Sequence, residues 1–200
     1  MATTESFVAT AEAFAALVET IPDDAWQRPG LGVWDVRALV GHTLRAVTTV
    51  IDYLPNRVQR ADLDSAADYV AAGFRMAGSL DDQVAERGVQ AGRELGDDPA
   101  QAVGNKLDEL NTALGELTGD PIIGTRLGAM RVSVYLDTRI IELVIHGSDI
   151  AAALGLTFEP PRAAIATTLR VATDAALIND RGLAAIRQLS GRDGSPFTLM

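Results

Sequence analysis

The segment from Thr138 to Gly155 reads T-R-I-I-E-L-V-I-H-G-S-D-I-A-A-A-L-G, and its apolar pattern decides how the rest of the chain is read. Between Ile140 and Ile145 every residue but Glu142 is apolar, so a helix here is buried nearly all round. A carboxylate in that setting is costly to desolvate unless it is paired, protonated or bound to a cation. His146 follows one helical turn later on the same face. Glu142 and His146 therefore aim a carboxylate oxygen and an imidazole nitrogen at one spot.

The chain contains only 2 histidines, and the other is His42, in a second strongly helical segment. There Leu39, His42, Ala46 and Val50 recur at helical spacing, which puts His42 on an apolar seam. Two helices that each point polar ligands inward can share a metal in a bundle core. Two imidazoles and one carboxylate, with a position left for water or substrate, suit catalytic zinc. The blander alternative pairs Glu142 with Arg139 and leaves both histidines as satisfied core residues. The apolar surroundings and the second seam histidine favour His42, Glu142 and His146 as metal ligands. Asp149 shares the face of His146 and can orient its ring, or else make an ordinary inter-helix hydrogen bond. Arg139 can balance Glu142 or hold an anionic substrate. Asp149 and Arg139 are the candidate catalytic residues.

A chain of 200 residues fits one domain with a sizeable core, and residues 1–200 show neither an internal repeat nor a low-complexity linker. Hydrophobic content of 48% with only 5% aromatic favours an all-α fold of close-packed helices. No apolar run approaches the ~18 residues of a membrane span, and the start M-A-T-T-E-S lacks the basic residues of a signal peptide. A cytoplasmic protein with no membrane partner is expected. The net charge of −10 argues against nucleic acid, whose partners carry basic faces. Cysteine is absent, which removes disulfides, thiolate-ligated zinc and a protein thiol nucleophile together. Any thiol chemistry must arrive on a small molecule. The sequence holds no nucleophile elbow, Walker loop or dinucleotide fingerprint.

The remaining elements follow from punctuation. Residues 3–20 read as a helix with Phe7, Phe14, Val18 and Ile21 on one face, stopped by Pro22. A turn-rich connection leads to Trp34, which reads as a core anchor or helix staple, and Asp35 caps a helix reaching about Tyr53. A third helix is expected over 65–77, with another started by Ser79-Leu80-Asp81-Asp82. Gly88, Gly92 and Gly96 mark that region as irregular or mobile. Pro99–Leu117 returns to helical spacing, and Gly119–Ala129 reads as a loop, either a connection or a lid. The site helix is expected to start at Ser133 and close at Gly155. Pro160-Pro161 opens a helix with the stripe Ile165, Leu169, Ala172 and Ala176, and Leu183–Leu189 forms a last one before Gly191. Apolar faces on several helices leave room for a homodimer without requiring one.

At two places the chain resembles a known family. The run G-V-W-D-V-R-A-L-V-G-H, ending at His42, resembles the first signature of DinB-like proteins in the branch of the mycothiol-dependent maleylpyruvate isomerase N-terminal domain. The run R-I-I-E-L-V-I-H-G-S-D, from Arg139 to Asp149, is similar to that branch's second signature. The resemblance spans about residues 5–192. It implies an up-down four-helix bundle with additional short helices and a divalent metal, zinc or nickel, held by His42, Glu142 and His146. It further implies a low-molecular-weight thiol, mycothiol, used for S-transfer or isomerisation of a small electrophilic substrate. Asp35 stands where the signature has Ser or Thr, and Ala38 where it has an acid. The 200 residues carry no counterpart of the small α/β domain that completes the isomerase, which points away from maleylpyruvate itself. A metal-assisted hydrolase and a non-catalytic metal-binding or regulatory bundle are the alternative readings.

Overall fold

The structure, a computed structural model, describes residues 2–77 and 81–192. Its helices are α1 (Ala2–Glu19), α2 (Val36–Tyr53), α3 (Ala66–Ala77), α4 (Asp81–Glu94), α5 (Pro99–Gly115), α6 (Val132–Leu154), α7 (Arg162–Ile178) and α8 (Gly182–Leu189). Five short strands accompany them: β1 (Pro29–Leu31), β2 (Trp34–Asp35), β3 (Arg57–Val58), β4 (Ile122–Thr125) and β5 (Gly128–Arg131). The fold is all-α, a DinB-like bundle. Helices α1, α6, α2 and α5 form its four sides, each packing on the next in that order. Phe7, Phe14, Leu39, Val47, Leu110, Leu136, Ile140 and Leu143 fill the space between them and are fully buried. No helix among the described residues is long and apolar enough to cross a membrane.

Helix α2 starts where the sequence places it, with the Asp35 carboxylate accepting from the Ala38 N–H at 2.7 Å. Helix α6 starts differently. Ser133 is not its cap; the helix begins at Val132 straight out of β5, and Asp120, from the segment ahead of β4, supplies the acceptor. Its carboxylate takes the Ser133 N–H at 2.9 Å and the Ser133 hydroxyl at 2.8 Å. At the other end Gly155 takes the left-handed conformation, φ 66°, as expected of a helix-terminating glycine. Helix α7 corrects the expected stripe by one position: Ala164, Val171 and Ala175 face inward with Ala172 and Ala176, while Ile165 and Leu169 are exposed. Alanines let α7 lie close on α3 and α6, and the larger residues stay outside.

Two segments that read as irregular form regular elements. Residues 119–129 contain a hairpin, not a loop: β4 and β5 pair from Ile122↔Arg131 to Thr125↔Gly128, and β3 adds to the edge of β4. Arg126 and Leu127 form its tip, and Gly128 with φ 138° permits the turn. The region of glycines is the helix α4. Gly41 of α2 lies against the α4 backbone, where an added Cβ would fall 2.3 Å from the Gly92 nitrogen; one at Gly92 would fall 2.9 Å from the Ala38 Cα. These glycines cost helix propensity and allow two helices to touch backbone to backbone. The helix start expected at Ser79-Leu80 and the tail after Arg192 lie outside the described residues.

Gly41→Ala is therefore predicted to destabilise the protein by about 2 kcal/mol, an overpacking cost that exceeds the propensity gain. Gly104→Ala, on α5 with open space around it, should stabilise by up to about 1 kcal/mol. Thermal melts of the two variants against wild type check both signs.

Candidate metal centre

The neighbouring helices α2 and α6 bring His42, Glu142 and His146 to one point. One Glu142 carboxylate oxygen, Oε2, lies 3.4 Å from His146 Nε2 and 3.9 Å from His42 Nε2. One donor from each residue falls within 4.8 Å of the other two. Four donors around a tetrahedral ion at about 2.0–2.1 Å stand roughly 3.3 Å apart. Only the Glu142–His146 pair is already at that spacing, and the wider separations must contract for the trio to hold zinc. Nitrogen and carboxylate oxygen together suit zinc or nickel better than the all-oxygen ligation of calcium and magnesium.

The two imidazoles are fixed in different ways. His146 Nδ1 faces the Asp149 carboxylate at 3.0 Å. An N–H donated there turns Nε2 toward Glu142, and in the metal-free protein Nε2 carries a proton as well. His42 Nδ1 is buried and has no hydrogen-bond partner. Its ring is held instead by Trp34, whose indole lies over it at 4.4 Å between centroids with a tilt of 32°. The Trp34 N–H donates to the Ala85 carbonyl of α4 at 3.0 Å, and Gly88 leaves the space the indole fills. Trp34 is thus the core anchor the sequence suggested, and it also presses on a candidate ligand. Gly147, between His146 and Ser148, makes room for the Phe158 ring folding back over α6.

Electrostatics follow from this packing. Burial alone would raise the Glu142 pKa, yet the hydrogen bond from His146 and the charges of Arg139 and the histidines hold it at about 2. Burial and the nearby His146 lower His42 to about 4, so its imidazole is neutral. Burial opposes charge on His146 too, but its bonds to Asp149 and Glu142 outweigh that and raise it to about 9. Arg139 makes no ion pair with Glu142 among the described residues. Its Nε donates to Thr138 Oγ1 at 2.9 Å, and its guanidinium lies 4.9 Å from the Tyr135 ring centre and 5.4 Å from that of Tyr69.

The three candidate ligands line a cleft of about 630 Å³ together with Asp149 and Arg139. Arg45, Arg87, Arg126, Tyr53, Tyr69 and Tyr135 also line it and were not singled out from sequence. Arg45 could have been, since it sits three residues after His42 on the same helical face. Arg87 comes from α4 and Arg126 from the hairpin tip, and no local spacing links either to His42.

A helical bundle with two imidazoles and a carboxylate lining an open cleft belongs to the class of bundles able to bind a metal. The sequence pattern of the mycothiol maleylpyruvate isomerase N-terminal domain matches residues 7–151, and the chain belongs to that family. Both signature runs, ending at His42 and at Asp149, fall inside the match. No curated protein and no solved structure matches the chain.

A metal ion bound here must displace the proton that His146 carries in the metal-free protein, because its pKa of about 9 lies above the ordinary 6.5. The same proton stabilises the metal-free fold below pH 6.5, and that contribution is lost as pH rises through 9. His42 is already neutral in this range. Zinc uptake between pH 6.5 and 9 should therefore release about one proton per ion, and apparent affinity should climb roughly tenfold per pH unit. Calorimetry in buffers of different ionisation enthalpy reads the proton count, and a count of zero would contradict the assignment.

Proposed function

We propose that this chain is a divalent-metal-dependent enzyme that uses a low-molecular-weight thiol, mycothiol, to transfer sulfur to a small electrophile or to isomerise it. The observation that carries this reading is the His42, Glu142 and His146 trio, clustered within 4.8 Å at the floor of an open cleft in a chain without cysteine. Membership of a family named for a mycothiol-dependent isomerase supports the choice of thiol. A cytoplasmic setting, where small thiols are kept reduced, fits the same reading.

In this proposal His42, Glu142 and His146 hold the ion, with zinc first and nickel second among the candidates. When bound, such an ion favours the ionised form of a thiol and polarises a carbonyl. Asp149 fixes the His146 ring so that Nε2 faces inward, and Trp34 fixes the His42 ring by stacking. Tyr69 and Tyr135 hold Arg139 at the cleft wall, where its charge faces an acceptor carbonyl or carboxylate. The thiol gives up its proton to solvent at the cleft mouth. Its sulfur then forms a C–S bond with the electrophilic carbon, and the displaced electron pair passes to the conjugated carbonyl or to a leaving group. For isomerisation the same bond breaks again after rotation.

The test is an assay of thiol consumption with mycothiol and a panel of electrophiles, in zinc- and nickel-loaded protein. His42→Ala should lower turnover at least a hundredfold while the melt stays cooperative. Full activity in that variant would sink the reading. Turnover that needs metal but no thiol would instead identify a hydrolase. Absence of turnover with every pair would leave a binding or regulatory bundle.

A further inference from the structure

The cleft beside the histidines reverses the charge of the molecule. The chain carries a net charge of −10 from 27 acidic residues, yet only Glu142 and Asp149 of these line this cleft, and both are engaged with the histidines. Arg45, Arg87, Arg126 and Arg139 line the same space. None of the four makes an ion pair among the described residues. Arg139 is the sharpest case, since it is only 9% exposed and meets two aromatic rings and a hydroxyl in place of a carboxylate. Glu142 acts on this guanidinium electrostatically, but no carboxylate is paired with it directly. Its donors are left without the fork of oxygens they fit, and more arginines around it add like charge.

The four arginines come from four different elements: Arg45 from α2, Arg87 from α4, Arg126 from the tip of the β4–β5 hairpin, and Arg139 from α6. They are close enough to feel one another. Burial first, then the charges of Arg126 and Arg45, depress the Arg87 pKa from its ordinary value. Repelling cations held at one cleft with 27 acids available elsewhere are not explained by folding stability. Arginine presents a planar fork of donors that matches the two oxygens of a carboxylate or the oxygens of a phosphate.

We propose that Arg45, Arg87, Arg126 and Arg139 form a subsite for an anionic group, a carboxylate or a phosphate, on the small molecule that the cleft takes. The anion lies between the hairpin tip, α4 and the α2–α6 seam, and the rest of the ligand reaches Phe74, Leu127 and Ile145, which also line the cleft. The identification of that ligand as the electrophilic acceptor rests on the thiol-transfer reading; the anion subsite itself does not. Recognition of a charged acceptor by this cleft would select against neutral electrophiles of the same reactivity.

The experiment is calorimetric titration of the full-length chain with malonate and, separately, with inorganic phosphate, at low salt and after removal of metal with a chelator. Removing metal keeps direct ligation of the anion out of the reading and makes the result independent of the thiol-transfer assay. Saturable binding is expected, weakened about tenfold in Arg126→Gln and again in Arg87→Gln, with Arg57→Gln as an unchanged control away from the cleft. Arg126 is exposed on a hairpin tip, so its variant folds even if Arg87→Gln does not. Tighter binding of malonate identifies a carboxylate-bearing ligand, and tighter binding of phosphate a phosphorylated one. No saturable binding, or equal weakening in the Arg57 control, overturns the proposal.

Discussion

Glu142 is a carboxylate set into the seam between two packed helices, and the site depends on how that charge is satisfied. It lies on the most apolar stretch of α6, with Ile141, Leu143 and Val144 around it buried in the core. Desolvation works against its charge, and two imidazoles and a guanidinium restore it. The arrangement is self-consistent: the carboxylate is ionised, one histidine neutral and the other cationic. It is also incomplete, because Glu142 stands 3.9 Å from His42 Nε2, too far for a hydrogen bond. A divalent ion bound between them would satisfy all three groups at once.

The architecture serves that point. Helices α2 and α6 must stay in register for His42 to meet Glu142 and His146, and each is fixed at its start by an aspartate, Asp35 and Asp120. Helix α4 presses on α2 through facing glycines and grips Trp34 through the Ala85 carbonyl. A displacement of α4 would therefore be felt by the His42 ring through the stacked indole. The hairpin β4–β5 leads directly into α6 and carries Arg126 at its tip, so one continuous stretch of chain supplies a cleft wall and two of the three candidate ligands.

Much of the bundle was legible because its helices obey local rules. Phe7, Phe14 and Val18 repeat at helical spacing and are buried, Asp35 caps, and Gly155 terminates. The His42, Glu142 and His146 cluster was legible because an acid inside an apolar run is improbable without partners, and only two histidines were available. What could not be read were relations between distant segments. Gly88 and Gly92 look like helix breakers in isolation, and only the approach of Trp34 and α2 reveals their purpose. Ile122 to Arg131 carries too many glycines and too weak an alternation to announce a hairpin. In α7 the alanines, not the larger Ile165 and Leu169, mark the buried face, since close packing selects for small volume there.

The account turns on whether these three side chains hold a metal. The most direct measurement is the metal content of untagged protein by elemental analysis, wild type beside Glu142→Ala, with both folds confirmed by circular dichroism. The prediction is about one zinc or nickel ion per wild-type chain and essentially none in the variant. Absence of metal from the wild type even after reconstitution, or equal content in the two proteins, would contradict it and return both histidines to the bundle core.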